Sequence, residues 1–157
     1  MLGAMPRIGP NVVLLTLVGV ALLIGVVAVL ALRREIAAWR LARREGIPLE
    51  FGVFLGMRLR GANGLQLVRA VLRARDAGLA VAIDFLEVHY LAGGDADAIV
   101  DAAIALHGKG RPVEWDALRA CDLAERDVRA IVAAGVDPAM VVGSQEYWDR
   151  FGKGTPV

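Results

Sequence analysis

Hydrophobic residues along this chain change their rhythm several times. From Asn11 to Leu32, 22 residues pass with no charge and no proline. As a helix rising 1.5 Å per residue, that run extends about 33 Å, enough to cross a hydrocarbon core of about 30 Å. Next, "RREIAAWRLARRE" (33–45) mixes arginines with Ile36 and Trp39. That pattern predicts an arginine-rich helix, either lying at lipid headgroups or extending the first helix into solvent. "GIPLEFGVFLGM" (46–57) breaks at Gly46 and Pro48 and turns apolar again. It is too short to span, so it is interfacial, re-entrant or packed on the domain that follows.

Beyond this point the pattern repeats. Shifting the chain by 32 residues aligns Gly78, Val81, Asp84, Leu86, Leu91, Ala92 and Asp95 with Gly110, Val113, Asp116, Leu118, Leu123, Ala124 and Asp127. Ala98, Ile99, Val100 and Ala102 then match Ala130, Ile131, Val132 and Ala134, giving 11 identities in 25 ungapped positions. A fainter earlier copy aligns Gly46, Leu59, Gly61, Val68 and Ala70 with Gly78, Leu91, Gly93, Val100 and Ala102. A period near 32 that repeats two helices is the signature of a stacked helical array.

Each unit reads as helix, turn, helix. Asp84 with Glu87 fits a capping-box variant, and Asp116 repeats the position of Asp84. Gly93 and Gly94 form the turn. Asp95 then caps a second helix through Leu106 with Ile99, Ala103 and Leu106 on one face. Asn63 with Gln66 plays the capping role in the first copy and Asp127 in the third, while Pro112 suits the start of the helix carrying Trp115, Leu118 and Cys121. The predicted fold is therefore all-α: one N-terminal transmembrane helix, then a small helical domain of about three tandem helix-turn-helix repeats. The expected divisions are a leader (1–10), the transmembrane helix (11–32), a basic juxtamembrane and interfacial segment (33–57), the repeat module (58–138) and a C-terminal tail (139–157).

Composition sharpens the membrane reading. The chain is 57% hydrophobic, with mean hydropathy +0.53, and the excess lies at the N-terminus. A secretory signal is the competing reading, with Val29-Leu30-Ala31 resembling a cleavage site. The apolar run is longer than the usual ~7–15 residues, however, and Arg33 and Arg34 follow it in a stop-transfer pattern. Arg33, Arg34, Arg40, Arg43 and Arg44 follow the span and only Arg7 precedes it, so the positive-inside bias places the C-terminal part in the cytoplasm. With Trp39, these arginines are the candidate membrane-interface residues. Residues 1–62 hold eight arginines and three glutamates, whereas 63–157 hold ten Lys/Arg and fourteen Asp/Glu. The basic half suits anionic headgroups, and the acidic half makes nucleic acid a poor partner.

Candidate chemistry is sparse. A metal site needs three or four ligands at compatible spacing, and only His89, His107 and Cys121 are available as nitrogen or sulfur donors. Asp95, Asp97 and Asp101 lack the closing glutamate of a calcium loop. Ser144 stands in no nucleophile elbow, and "GKGRP" (108–112) lacks phosphate-loop spacing. Neither a catalytic residue nor a cofactor is expected. His89 and Glu87 read as partly exposed helix residues, and Cys121 as a small semi-buried one. Tyr147, Trp148 and Phe151 in the tail offer an aromatic strip for docking a protein.

"VFLGMRLR" (53–60), "LEVHYLAGGDADAIVDAAIA" (86–105) and "CDLAERDV" (121–128) closely resemble segments of the bacterial flotillin-like protein A family, across roughly residues 50–138. The resemblance implies a membrane-anchored, oligomerising scaffold of membrane microdomains (lipid rafts), without catalysis, its bulk in the cytoplasm. It implies self-association or assembly with flotillin-like relatives. Family members continue into a band-7 domain and a long coiled coil. This chain departs from them after Pro138, which suggests a free-standing N-terminal module or a natural truncation. The alternative is a monomeric membrane-tethered adaptor for one cytoplasmic partner.

Overall fold

The structure is a computed structural model that describes residues 10–144. Every regular element among them is an α-helix: α1 (Pro10–Arg44), α2 (Phe51–Leu59), α3 (Gly64–Asp76), α4 (Ile83–Leu91), α5 (Ala96–Gly108), α6 (Trp115–Leu123), α7 (Val128–Ala133) and α8 (Pro138–Val141). The repeat is kept to the residue: α2, α4 and α6 begin 32 residues apart, and so do α3, α5 and α7. The expected all-α architecture, with an apolar N-terminal helix followed by stacked helix pairs, is what the chain adopts.

The joints recur with the same period. Carbonyls of Ala42, Ala74 and Leu106 accept from the amides of Ile47, Leu79 and Arg111. Those of Met57, His89 and Cys121 accept from Ala62, Gly94 and Arg126. Such six-to-one bonds satisfy orphan carbonyls at a helix C-terminus and need a left-handed residue just past the helix. At one recurring joint that residue is Gly61, then Gly93, then Glu125, with φ of 89°, 91° and 58°. Only the third copy asks a residue with a Cβ to adopt the turn, at some cost in strain.

The odd helices form one layer and the even helices the other. α1 packs on α3, α3 on α5 and α5 on α7. Core positions recur as well: Phe54, Leu86 and Leu118; Met57, His89 and Cys121; Leu67, Ile99 and Ile131; Val68, Val100 and Val132, all at most 1% exposed. Each helix pair has too little apolar face to stand alone, and stacking gives it a continuous core.

Two expected boundaries shift. The juxtamembrane segment is no separate element, because α1 continues unbroken through Arg44 and buries Ala38 and Ala42 completely against the array. Residues 46–57 are the packed alternative of the three considered. α2 starts at Phe51, and Phe54 and Met57 lie in the core, so the packed unit begins before residue 58. Pro112 lies ahead of α6, whose cap position is Glu114.

Candidate functional site

Two features could carry function: the exposed apolar helix with its basic exit, and the array it delivers. From Asn11 to Leu30 the mean hydropathy is 3.1 and none of the stretch is buried by protein. Its one hydroxyl, on Thr16, donates to the carbonyls of Val12 and Val13 at 2.7 and 2.9 Å. Past Asn11 at its N-terminal end, that leaves no side-chain polar group of the stretch in need of water, as a hydrocarbon environment demands. Arg33 and Arg34 follow and are exposed.

The remaining interface candidates sit further along the same helix. Trp39 through Arg44 lie about 13–21 Å past Leu30 at 1.5 Å per residue, where α1 is already part of the array. Arg40, Arg43 and Arg44 are exposed, and Trp39 is half-buried. The Trp39 ring meets Phe51 edge-on at 6.1 Å, and the Arg43 guanidinium stacks over it at 5.2 Å. Trp39 thus fastens α2 to α1.

Ion pairs fix how the array hangs from this stem. Arg58 reaches Glu35 at 2.9 Å, so α2 runs back along α1 toward the apolar stretch. Arg75 reaches Glu45 at 2.8 Å, and Arg34 shares a shallow groove with Asn63, Leu65 and Gln66, so α3 runs parallel to α1. On the odd-helix face, Gln66 donates to Asp97 at 2.6 Å. Arg73 bonds Asp97 and reaches Asp101 at 2.9 Å, and Arg129 reaches Asp101 at 2.9 Å and Asp95 at 3.6 Å. These pairs are half-exposed and individually weak, but together they tie α3, α5 and α7 in parallel register.

The caps divide into two groups. Asn63, Asp95 and Asp127 each cap an odd helix, accepting from Gln66, from Asp97 and Ala98, and from Ala130. Asp84 and Asp116 do not cap. α4 and α6 start two residues earlier than the motif suggests, with Ala82 and Glu114 at the cap position and no side-chain bond there. Each aspartate is therefore the second helical residue, favoured by the helix dipole only. The Asp84 carboxylate accepts from the adjacent Phe85 amide, and Asp116 pairs with Arg119 at 2.9 Å. Glu87, expected to reach back to the cap, instead accepts from Arg60 at 2.8 Å and is 8% exposed.

His89 reverses its expected exposure: it is fully buried. Its Nε2 lies 3.0 Å from Asp122 Oδ2, which also accepts the Asp95 amide at 2.6 Å. The ring occupies the space left by Gly94, where a Cβ would come within 2.2 Å of it. This clasp joins α4, the α5 cap and α6 across two repeats. Cys121 is also buried, its thiol donating to the Pro138 carbonyl at 3.2 Å. Burial pushes that thiol up to about 11, so it stays protonated and unreactive near neutral pH. Arg126, likewise buried, turns inward to the Val141 carbonyl. Among the described residues no three His, Cys, Asp or Glu side chains converge as ligands. Tyr147, Trp148 and Phe151 lie outside the described residues.

The buried His89–Asp122 clasp and inward Arg126 were not foreseen. Nor was the row formed by Leu59, Leu91 and Leu123, the last residues of α2, α4 and α6, which are exposed by 81, 42 and 41%. Their recurrence was visible as repeat identities, but nothing in a repeat identity distinguishes core from surface.

No solved structure matches this chain. The sequence profile of flotillin-like protein FloA matches residues 12–146. Flotillin-like protein FloA from Staphylococcus aureus strains JH9, Newman and Mu3 is 37% identical over 106 residues, 68% of this chain. The match spans 32% of the length of those relatives. An exposed apolar helix with a basic exit, carrying an array that matches across both parts, makes this a membrane-associated protein, and the chain belongs to the flotillin-like protein FloA family.

Proposed function

We propose that this chain is a single-pass membrane scaffold whose helical array faces the cytoplasm and assembles with copies of itself or with longer flotillin-like relatives to organise membrane microdomains, without catalysing a reaction. One observation carries the reading: the family match begins inside the apolar helix and runs through the whole described array. Membrane anchor and repeat module are therefore shared as one unit.

The stem geometry supports it. Some 20 apolar residues extend about 30 Å, the thickness of a hydrocarbon core. Arg33 and Arg34 emerge about 5 Å beyond Leu30, at headgroup depth, where anionic lipids favour them. The excess of arginine after the span favours the cytoplasmic side for the array. The protonated Cys121 and the enclosed His89–Asp122 clasp act as packing, which agrees with a non-catalytic role.

The test is a fluorescent fusion at the C-terminus of the full chain in bacterial cells. Discrete envelope foci that bleach in several steps are the expected result, with the fusion resistant to protease added outside spheroplasts. An even distribution of single-step spots would overturn scaffolding and favour a monomeric tethered adaptor.

A further inference from the structure

The parallel odd helices have a geometric consequence. α1, α3, α5 and α7 stand side by side and point the same way, while α2 runs back along α1. All three even-to-odd turns, at 59–63, 91–95 and 123–127, therefore gather at the end of the array where α1 leaves its apolar stretch. The first is level with Glu35 through Arg58 and with Arg34 through the groove beside Asn63. The row of repeats extends across α1, not along it.

That edge is apolar in each copy. Leu59, Leu91 and Leu123 close their helices there, Leu59 largely uncovered and Leu91 and Leu123 exposed over about two-fifths of their surface. One exposed leucine means nothing, since much of any protein surface is apolar. Three at one repeat position, on one edge, form a pattern. The polar side chains beside them are mostly engaged: Arg60 with Glu87, Asn63, Asp95 and Asp127 on helix amides, and Arg126 on a buried carbonyl. Two acidic residues of the third turn are exposed, Glu125 and the capping Asp127. The opposite edge is unlike it, with exposed Arg44 and Glu45, then Asp76, then His107 and Lys109 at the odd-to-even turns.

We propose that this turn edge rests on the phospholipid surface, with Leu59, Leu91 and Leu123 dipping into the boundary between headgroups and acyl chains. The array then lies along the bilayer instead of projecting from it. The occupant follows from continuity: the same rigid α1 that places Leu59 also supplies the apolar stretch. Shallow burial of a few apolar side chains beside arginines is the usual chemistry of interfacial attachment. The proposal rests on the reading that α1 spans the bilayer.

The test uses full-length protein in phosphatidylcholine–phosphatidylglycerol vesicles, with a small thiol-linked fluorophore at one introduced cysteine per variant. Leu59→Cys, Leu91→Cys and Leu123→Cys report the edge; Ala80→Cys and Ala105→Cys report the far side, and Val20→Cys the span. Buried Cys121 stays in place. All three edge labels are expected to lose fluorescence when headgroup-nitroxide lipid is included, and the far-side labels to keep theirs. If Leu91 and Leu123 behave like the far-side labels while Val20 is quenched by acyl-chain nitroxide, the array stands off the bilayer and the proposal fails alone. If Val20 is unquenched, the spanning reading fails and the proposal with it. Edge labels shielded from aqueous iodide yet unquenched by lipid would mean that protein covers the edge, which also overturns it.

Discussion

Replacing His89 with alanine removes the ring that sits under Gly94 and deprives Asp122 of one of its hydrogen-bond partners. Both side chains of the pair are wholly inaccessible to solvent. Leaving a buried acceptor short of a donor costs about 1–3 kcal/mol, and truncating a fully buried ring adds a cavity term of similar size. Because the Asp95 amide still serves Asp122, the lower half of the combined range applies, about 2–4 kcal/mol. The assay is urea unfolding of the full chain in mild detergent, followed by loss of helical circular dichroism. With a urea dependence of about 2 kcal/mol per molar for a module of this size, the midpoint falls by about 1–2 M. Val88→Ala, at the neighbouring 60% exposed position, is the control and should cost no more than about 0.5 kcal/mol. His89→Gln, which keeps an N–H for Asp122, should recover part of the loss. A His89→Ala midpoint equal to that of Val88→Ala would refute the clasp as a stabilising element.

Three further outcomes follow from the same geometry. Gly94→Ala pushes a methyl group into an enclosed ring and should cost about 1–3 kcal/mol by thermal melting; an unchanged melt would mean the turn is looser than described. Glu125→Gly exchanges a strained left-handed residue for the one used in the other copies, and should stabilise the array by up to about 1 kcal/mol after the entropic cost of glycine; a lower melting temperature would contradict it. Burial raises the Cys121 thiol from its ordinary 9.0 to about 11. Above about pH 9 the unfolded thiol therefore ionises while the folded one does not, and its contribution makes stability fall as pH rises toward 11. Iodoacetamide should accordingly label native protein slowly and urea-unfolded protein readily; rapid native labelling would show the thiol to be open.

Recurrence made most of this architecture legible. Gly78 with Gly110, Asp95 with Asp127 and Val100 with Val132 announce a period, and the helices obey it to the residue. What recurrence hides is any contact between different positions of the repeat. His89 corresponds to Cys121 and Met57, whereas Asp122 corresponds to Tyr90, so the clasp pairs unlike positions that look like noise when copies are aligned. Asp84 and Asp116 misled for a related reason. The recurrence is real, but α4 and α6 begin before those residues, so it marks the first helical turn and not the cap. α2 is hard to read as a repeat helix because its copy is the faintest and its apolar run resembles an interfacial segment. Only packing shows Phe54 and Met57 turned into the core. Leu59, Leu91 and Leu123 were legible as identities but not as surface, since exposure at a helix end depends on which edge the stack leaves open.

The measurement that bears most directly on scaffolding is the native mass of the full chain in mild detergent, by size-exclusion chromatography with light scattering. The expected result is a discrete assembly of several copies of the 16.7 kDa chain. A monodisperse monomer, unchanged on raising protein concentration, would contradict self-assembly of this chain and leave a tethered adaptor or a subunit that needs a longer relative.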